Sequence, residues 1–319
     1  MSKIDQKQFS SRRPYLMLAA IILLWGTNFV VARFLSGIEP IRVSGILYGF
    51  FRYFIGAFTM VAVLIYKKQG FSDVREEVAP YKKMLLLSAF ASAIFVMTLH
   101  MSVEFISSGT SSIIVNLCPI LVLIYGVYRF KERLTPLKVM GFLLGLIGGL
   151  VFLWNSLVLL PGLELGIFFA LMAMVAWGAY TITLHYLEGA NKYIVMAVKH
   201  AVSSIIILPF IYFVLMEGTT LVLIFDVWSI LGLLFSGILA SGLAYVIYFS
   251  AVEAIGAPKA SSFLFLVPFV SVVGDFVLGE PPEAITLIAG IIAIIGVALV
   301  RFAGVSESEE IDQLVDIQD

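Results

Sequence analysis

Ser88, Ser92, His100 and Glu104 lie at multiples of four residues within a mostly apolar stretch, a spacing that sets them on one helix face. His100 is the member of this stripe whose ordinary titration falls near physiological pH, so His100 and Glu104 together could carry protons. A histidine that is merely hydrogen-bonded among packed helices would leave the same pattern. Arg52 stands inside the apolar run FRYFIGAF. A guanidinium there costs about 2.5 to 3.5 kcal/mol at a membrane helix centre, so it must hold a substrate carboxylate or pair with a carbonyl or acid of the protein. Lys199, in VKHAVSSI, is placed closer to the end of its run, where a lysine can extend its ammonium to the membrane face.

Aromatic and amide groups supply a second set of candidates. Trp25 and Asn28 share a helix face, as do Trp177, Tyr180 and Thr181. Each tryptophan precedes a glycine, which permits close helix approach while the indole forms a flat wall. Asn116, Tyr245, Tyr248 and Ser262 would complete a hydrogen-bonding, aromatic lining. Pro119 and Pro268 each delete a backbone donor in mid-run and predict kinks suited to gating. Asp275, in VVGDFVLGE, either pairs with a base or lies at an outer mouth.

These residues need a scaffold, and composition says what kind. The chain has 319 residues, 61% hydrophobic and 13% charged, with mean hydropathy +1.05, too apolar for a soluble surface. A bilayer core of ~30 Å takes about 20 apolar residues per helix. Dividing at polar, Gly and Pro clusters gives ten spans: 15–34, 44–66, 83–105, 109–128, 137–155, 163–186, 193–216, 228–252, 257–278 and 284–302. The short breaks at ISSGTSS and NSLVLLPG are required because the runs flanking them are too long for one crossing. Most of the 20 basic residues, from Lys3, Arg12 and Arg13 through Lys67, Lys82, Arg129 and Lys192 to Arg301, then fall on one face. Only Arg33 and Arg42 fall on the other, which places both termini in the cytoplasm. The N-terminal run lacks a cleavage signature and reads as a retained helix. The predicted organisation is a cytoplasmic segment 1–14, a five-helix unit 15–155, a second 163–302 and an acidic tail 303–319. Cys118, the single cysteine, excludes an intrachain disulfide and reads as packing.

The two units correspond. Trp25-Gly26 matches Trp177-Gly178, Arg52 matches Lys199, Pro119 matches Pro268, Glu132 matches Glu280 and Gly148 matches Gly296. Five crossings is an odd number, so the second unit enters the membrane upside down. The fold class is an all-α membrane protein of ten transmembrane helices as two inverted five-helix repeats, an architecture that places a site near the midplane between the halves. Small-residue faces at Gly141, Gly145 and Gly149, and at Ala289, Ala293 and Gly296, mark spans five and ten as packing elements or a dimer contact.

LLWGTNFVVAR, FRYFIGAF, the proline before GVYRFKERLTP, and their counterparts AWGAYTITL and LVPFVSVVGDFVLGE make the chain resemble the drug/metabolite transporter superfamily, of the EamA type, from Tyr15 to Arg301. The resemblance implies movement of a small metabolite, commonly export of an amino acid or relative, through a cavity lined by spans one, three, four, six, eight and nine. It implies no cofactor. The expected partners are a small-molecule substrate, membrane lipids and, with proton coupling, protons; the chain would be a monomer or weak homodimer. The charges lie in loops and suggest no nucleic acid. No G-x-x-x-x-G-K-[ST] or H-E-x-x-H motif and only three histidines occur, which disfavours an enzyme. The alternatives are a membrane sensor or scaffold without flux, or a membrane-embedded enzyme.

Overall fold

A computed structural model describes residues 3–130, 135–159, 164–187, 189–255, 263–285 and most of 287–299. The described chain is helical apart from short connections and one isolated bridge between Val43 and Leu223. In order come α1 (Lys3–Ser36), α2 (Gly45–Tyr66), α3 (Phe71–Phe105), α4 (Ser108–Val115), α5 (Cys118–Phe130), α6 (Pro136–Leu159), α7 (Glu164–His185), α8 (Lys192–Met216) and α9 (Val227–Leu234). A π-helical stretch, Phe235–Leu243, leads into α10 (Ala244–Ile255); a 3₁₀ turn, Phe263–Leu266, leads into α11 (Val267–Leu278).

Among the described residues seven stretches are long and apolar enough to cross a membrane, α4 and α5 counting as one and α9 with the π segment and the start of α10 as another. The 24-residue α6 and two shorter apolar helices, α11 and Leu287–Gly296, occupy the other three expected spans. Helix α1 begins well before residue 15 and α3 well before residue 83. At 34 and 35 residues they run to roughly 50 Å, longer than the bilayer core, so their polar first turns stand outside it. The break at ISSGTSS is present, between Phe105 and Ser108. The predicted boundary at residues 160–162, Ser262 and the tail 303–319 lie outside the described residues.

Local chemistry sets the helix starts. Ser107 accepts from the Thr110 amide, Asn191 from the Tyr193 and Ile194 amides, and Asp226 from the Ser229 amide, which satisfies donors that the helix cannot. Gly279 ends α11 with φ 76°, a left-handed conformation that favours glycine.

The packing between halves repeats itself with roles exchanged. Helix α1 lies against the π segment, α10 and α11, as α7 lies against α3, α4 and α5, while α2 packs along α8 between them. One crossing makes the correspondence atomic. A methyl group on Gly26 would meet the Val270 side chain and the Val267 carbonyl; on Gly178 it would meet the Leu121 side chain and the Cys118 carbonyl. Val270 and Leu121, like Val267 and Cys118, are 149 positions apart, the offset of Pro268 from Pro119. The small-residue faces of spans five and ten meet each other within the chain: Gly296 lies directly on the Gly141–Gly145 backbone.

Pro119 and Pro268 occupy the first turns of α5 and α11, where a missing N–H costs little. They mark mid-span interruptions, with Asn116 and Leu117 as the turn before α5. The expected kinks within continuous helices are therefore helix restarts.

Candidate functional site

The predicted aromatic and basic residues converge between the halves. The Trp25 and Trp177 rings, both half-buried, meet edge to face at 6.4 Å. Tyr245 and Tyr248 flank Trp25 at 5.4 and 5.5 Å, and Tyr180 and Phe95 flank Trp177 at 5.2 and 4.7 Å. Such offset and edge contacts suit the ring quadrupoles.

The π segment supplies polar partners that the sequence reading missed. Trp25 Nε1 donates to the Ala240 carbonyl at 2.9 Å. Ser236 Oγ donates to Asn28 Oδ1 at 2.6 Å, and Tyr48 reaches the same oxygen at 3.4 Å. Arg52 Nε donates to Ser241 Oγ at 2.8 Å. One segment of the second half thus holds three candidate residues of the first. Its anomalous register is the kind of helix defect found at functional sites; no apolar period announces it.

Arg52 is buried, 4% exposed. Its Nη1 lies 3.1 Å from His100 Nε2. A guanidinium only donates, so Nε2 accepts and a neutral His100 carries its proton on Nδ1, which is buried without a partner. The His100 ring also faces Tyr48 at 4.5 Å. Three of the four residues of the α3 stripe meet α2: Ser92 meets the Tyr53 hydroxyl at 2.9 Å, His100 meets Arg52, and the Glu104 carboxylate accepts from the Gly45 amide, whereas the Ser88 hydroxyl is buried with no partner among the described residues. Glu104 thus engages the first amide of α2 and His100 an arginine within it. They lie one turn apart with separate partners.

Lys199 does not reach for the membrane face. It is wholly buried, its Nζ 4.7, 5.0 and 4.4 Å from the ring centroids of Tyr53, Tyr180 and Tyr245. Arg52 and Lys199 are each the eighth residue of their helix. At 1.5 Å per residue, each sits ~10 Å in, from opposite ends. His200 donates from Nδ1 to the Met196 carbonyl at 2.7 Å and packs on Tyr53 at 4.7 Å. Tyr53, Lys199 and His200 were the residues that sequence reasoning passed over or discounted.

Other candidates stand apart. Asn116 donates to the Ser112 carbonyl of its own helix at 2.8 Å, which makes it a local turn residue. Asp275 is fully buried, so it does not open to an outer mouth, and among the described residues it pairs with no base. Its carboxylate accepts from the Ser108 amide at 3.0 Å, the Ser108 hydroxyl at 2.5 Å and the Gly109 amide at 2.8 Å, capping the positive end of α4. Cys118 is buried. Among the described residues no cluster of three or more metal-ligating side chains occurs.

Two ion pairs tie the halves at the end where α1 finishes. Arg33 grips Glu280 with two bonds of 2.7 Å and also donates to the Val103 and Glu104 carbonyls. Arg42 pairs with Asp226 at 3.1 Å. The Ser229 amide, first, and then Arg42 hold the Asp226 carboxyl below its usual range. At the opposite end, the Asn191 amide donates to Glu77 at 2.6 Å.

The sequence profile of the EamA-like transporter family matches residues 12–154 and again 164–302. An uncharacterized transporter of Bacillus subtilis, YoaV, is 26% identical, the match covering 87% of this chain and 92% of YoaV. An uncharacterized transporter of Archaeoglobus fulgidus is 25% identical over 90% of this chain and 98% of its own. A protein of known crystal structure superposes with a TM-score of 0.63 at 20% identity, over 90% of this chain and 96% of the other, which speaks to the fold alone.

Proposed function

Since the chain belongs to the EamA-like transporter family, we propose that it is a secondary transporter that exports a small organic metabolite, an amino acid or a related compound, by alternating access. The observation that carries this reading is the convergence of repeat-equivalent Trp25 and Trp177 beside Arg52 and its partners on the π segment. A site shared by two inverted repeats can be exposed to either side as the halves exchange conformations. The helix restarts at Pro119 and Pro268 supply hinges between half-spans. The basic residues of the loops favour insertion in the cytoplasmic membrane with both termini inside. On that orientation, the Arg33–Glu280 and Arg42–Asp226 pairs close the outer end.

Trp25, Trp177, Tyr180, Tyr245 and Tyr248 would contact substrate, while Asn28 and Arg52 fix the polar wall. His100 is the candidate proton carrier. A second proton on its ring would abolish the acceptor used by Arg52 and set two cations side by side, so protonation and Arg52 placement are linked. Glu104, at the start of α2, would take part through that helix. The working unit is a monomer or weak homodimer in lipid.

The test is flux in proteoliposomes of purified protein against amino acids, organic cations and sugar phosphates, with and without a pH gradient. Substrate-specific flux is expected. Its absence across the panel would sink this reading and favour a sensor or scaffold. His100→Gln should flatten the pH profile of transport; an unchanged profile removes His100 from proton coupling.

A further inference from the structure

Lys199 and Arg52 differ in one decisive respect. Arg52 is anchored by the protein through Ser241 and His100. Among the described residues Lys199 Nζ is buried with no hydrogen-bond partner, and it lies over the faces of Tyr53, Tyr180 and Tyr245. The neighbouring His200 Nε2 is likewise buried and unpartnered. Among the described residues no carboxylate pairs with Arg52 or Lys199. Two basic groups therefore share a membrane interior without countercharge, an arrangement that is costly unless something anionic completes it. Tyrosine faces attract an ammonium but accept no hydrogen bond in their plane as a carboxylate would. They steady Lys199 while leaving its three donors free.

We infer that Lys199 is the anchoring group for a carboxylate of the substrate, and that the solute is an organic anion or zwitterion whose apolar body rests on Trp25 and Trp177. This rests on the transporter reading and names the substrate class. It moves the carboxylate contact from Arg52, where the sequence suggests it, to the repeat-equivalent lysine. Tyr245 links the two parts of the site, since its ring touches both Trp25 and Lys199.

The experiment uses the full chain in detergent and follows tryptophan fluorescence and thermal unfolding. The probes are acetate, succinate, phenylacetate and L-phenylalanine, set against phenethylamine and 2-phenylethanol, which lack a carboxylate. Binding is expected for at least one carboxylate and for neither control. Lys199→Met should weaken it at least tenfold, and Lys199→Arg should restore part of it. Lys199→Met should also unfold no earlier than the parent, because it deletes an uncompensated charge; a lysine with only a structural role would unfold earlier. The inference is overturned if no carboxylate binds the parent or if carboxylates bind Lys199→Met equally well. Flux separates the two readings. Transport of neutral or cationic solutes that survives Lys199→Met would overturn the carboxylate anchor and leave transport standing. Lysine-dependent carboxylate binding without flux of any solute would keep the anchor and overturn transport.

Discussion

Gly26→Ala and Gly178→Ala are the same chemical change at repeat-equivalent positions, yet the structure assigns them opposite outcomes. A Cβ on Gly26 would lie 2.4 Å from Val270 Cβ, 2.7 Å from its Cγ1 and 3.0 Å from the Val267 carbonyl oxygen. Val270 is branched at the colliding atom, so α1 and α11 must separate. A Cβ on Gly178 would lie 3.6 Å from the Leu121 side chain and 3.9 Å from the Cys118 carbonyl oxygen, ordinary contact distances. Overpacking costs about 1 to 3 kcal/mol. Replacing a helical glycine where there is room gains about 0.5 to 1 kcal/mol. The propensity gain is common to both variants, so they should differ by the overpacking cost, roughly 1 to 3 kcal/mol, with Gly26→Ala below the parent and Gly178→Ala at or above it. SDS-induced unfolding in mixed micelles would measure the difference. Equal stabilities, or the reverse order, would refute the claim that α1 crosses α11 more tightly than α7 crosses α5.

Other consequences can be measured on the same preparation. Asp275→Ala leaves the Ser108 and Gly109 amides without their acceptor and should destabilise by about 1 to 3 kcal/mol, read by the same unfolding assay. A double-mutant cycle on Arg33→Met and Glu280→Gln should give a coupling of about 1 to 2 kcal/mol, more than an exposed surface pair yields, with Arg42→Met additive to it. Asp226 titrates below its ordinary range. Its contribution is thus present above the ordinary carboxylate range and is lost only as pH falls through the lowered value. Asp226→Asn should accordingly leave the pH profile of transport between pH 5 and 8 unchanged, although it lowers stability at neutral pH. Pro268→Ala should alter transport rate more than apparent affinity; the reverse pattern would argue against a hinge at that restart.

Hydropathy and spacing reveal a great deal of this molecule, because a bilayer forces apolar runs of one length and an inverted duplication writes each motif twice. Trp25, Trp177 and Arg52 stand out for that reason, whereas Tyr180, Tyr245 and Tyr248 stand out only as polar aromatics within apolar runs. The partners from the π segment do not. An extra residue in a helical turn leaves composition and apolar content unchanged, so nothing in FSGILASGL distinguishes Ser236 and Ser241 from ordinary helix-packing serines. Lys199 was misjudged even though the predicted span, 193–216, starts within one residue of α8; a lysine two turns inside a helix can still reach a membrane face, and only the tertiary packing of Tyr53, Tyr180 and Tyr245 around it shows that it does not. Arg33 with Glu280 shows a different limit. Each reads as a solvated loop charge, and their meeting across 247 positions is a property of tertiary structure alone. Asp275 was ambiguous because a buried carboxylate can be satisfied by backbone amides as well as by a base, and those amides belong to a helix that starts 167 positions earlier.

The nine residues from Phe235 to Leu243 touch Trp25, Asn28 and Arg52 at once, so these three holds stand or fall together. Unwinding that stretch into regular α geometry would swivel everything beyond it and release all of them in a single stroke. Removing one residue there should therefore damage the protein far more than any point substitution among Ser236, Ala240 and Ser241. Equally, a solute that grips the loosened register would need to engage only one span to disengage the opposite half.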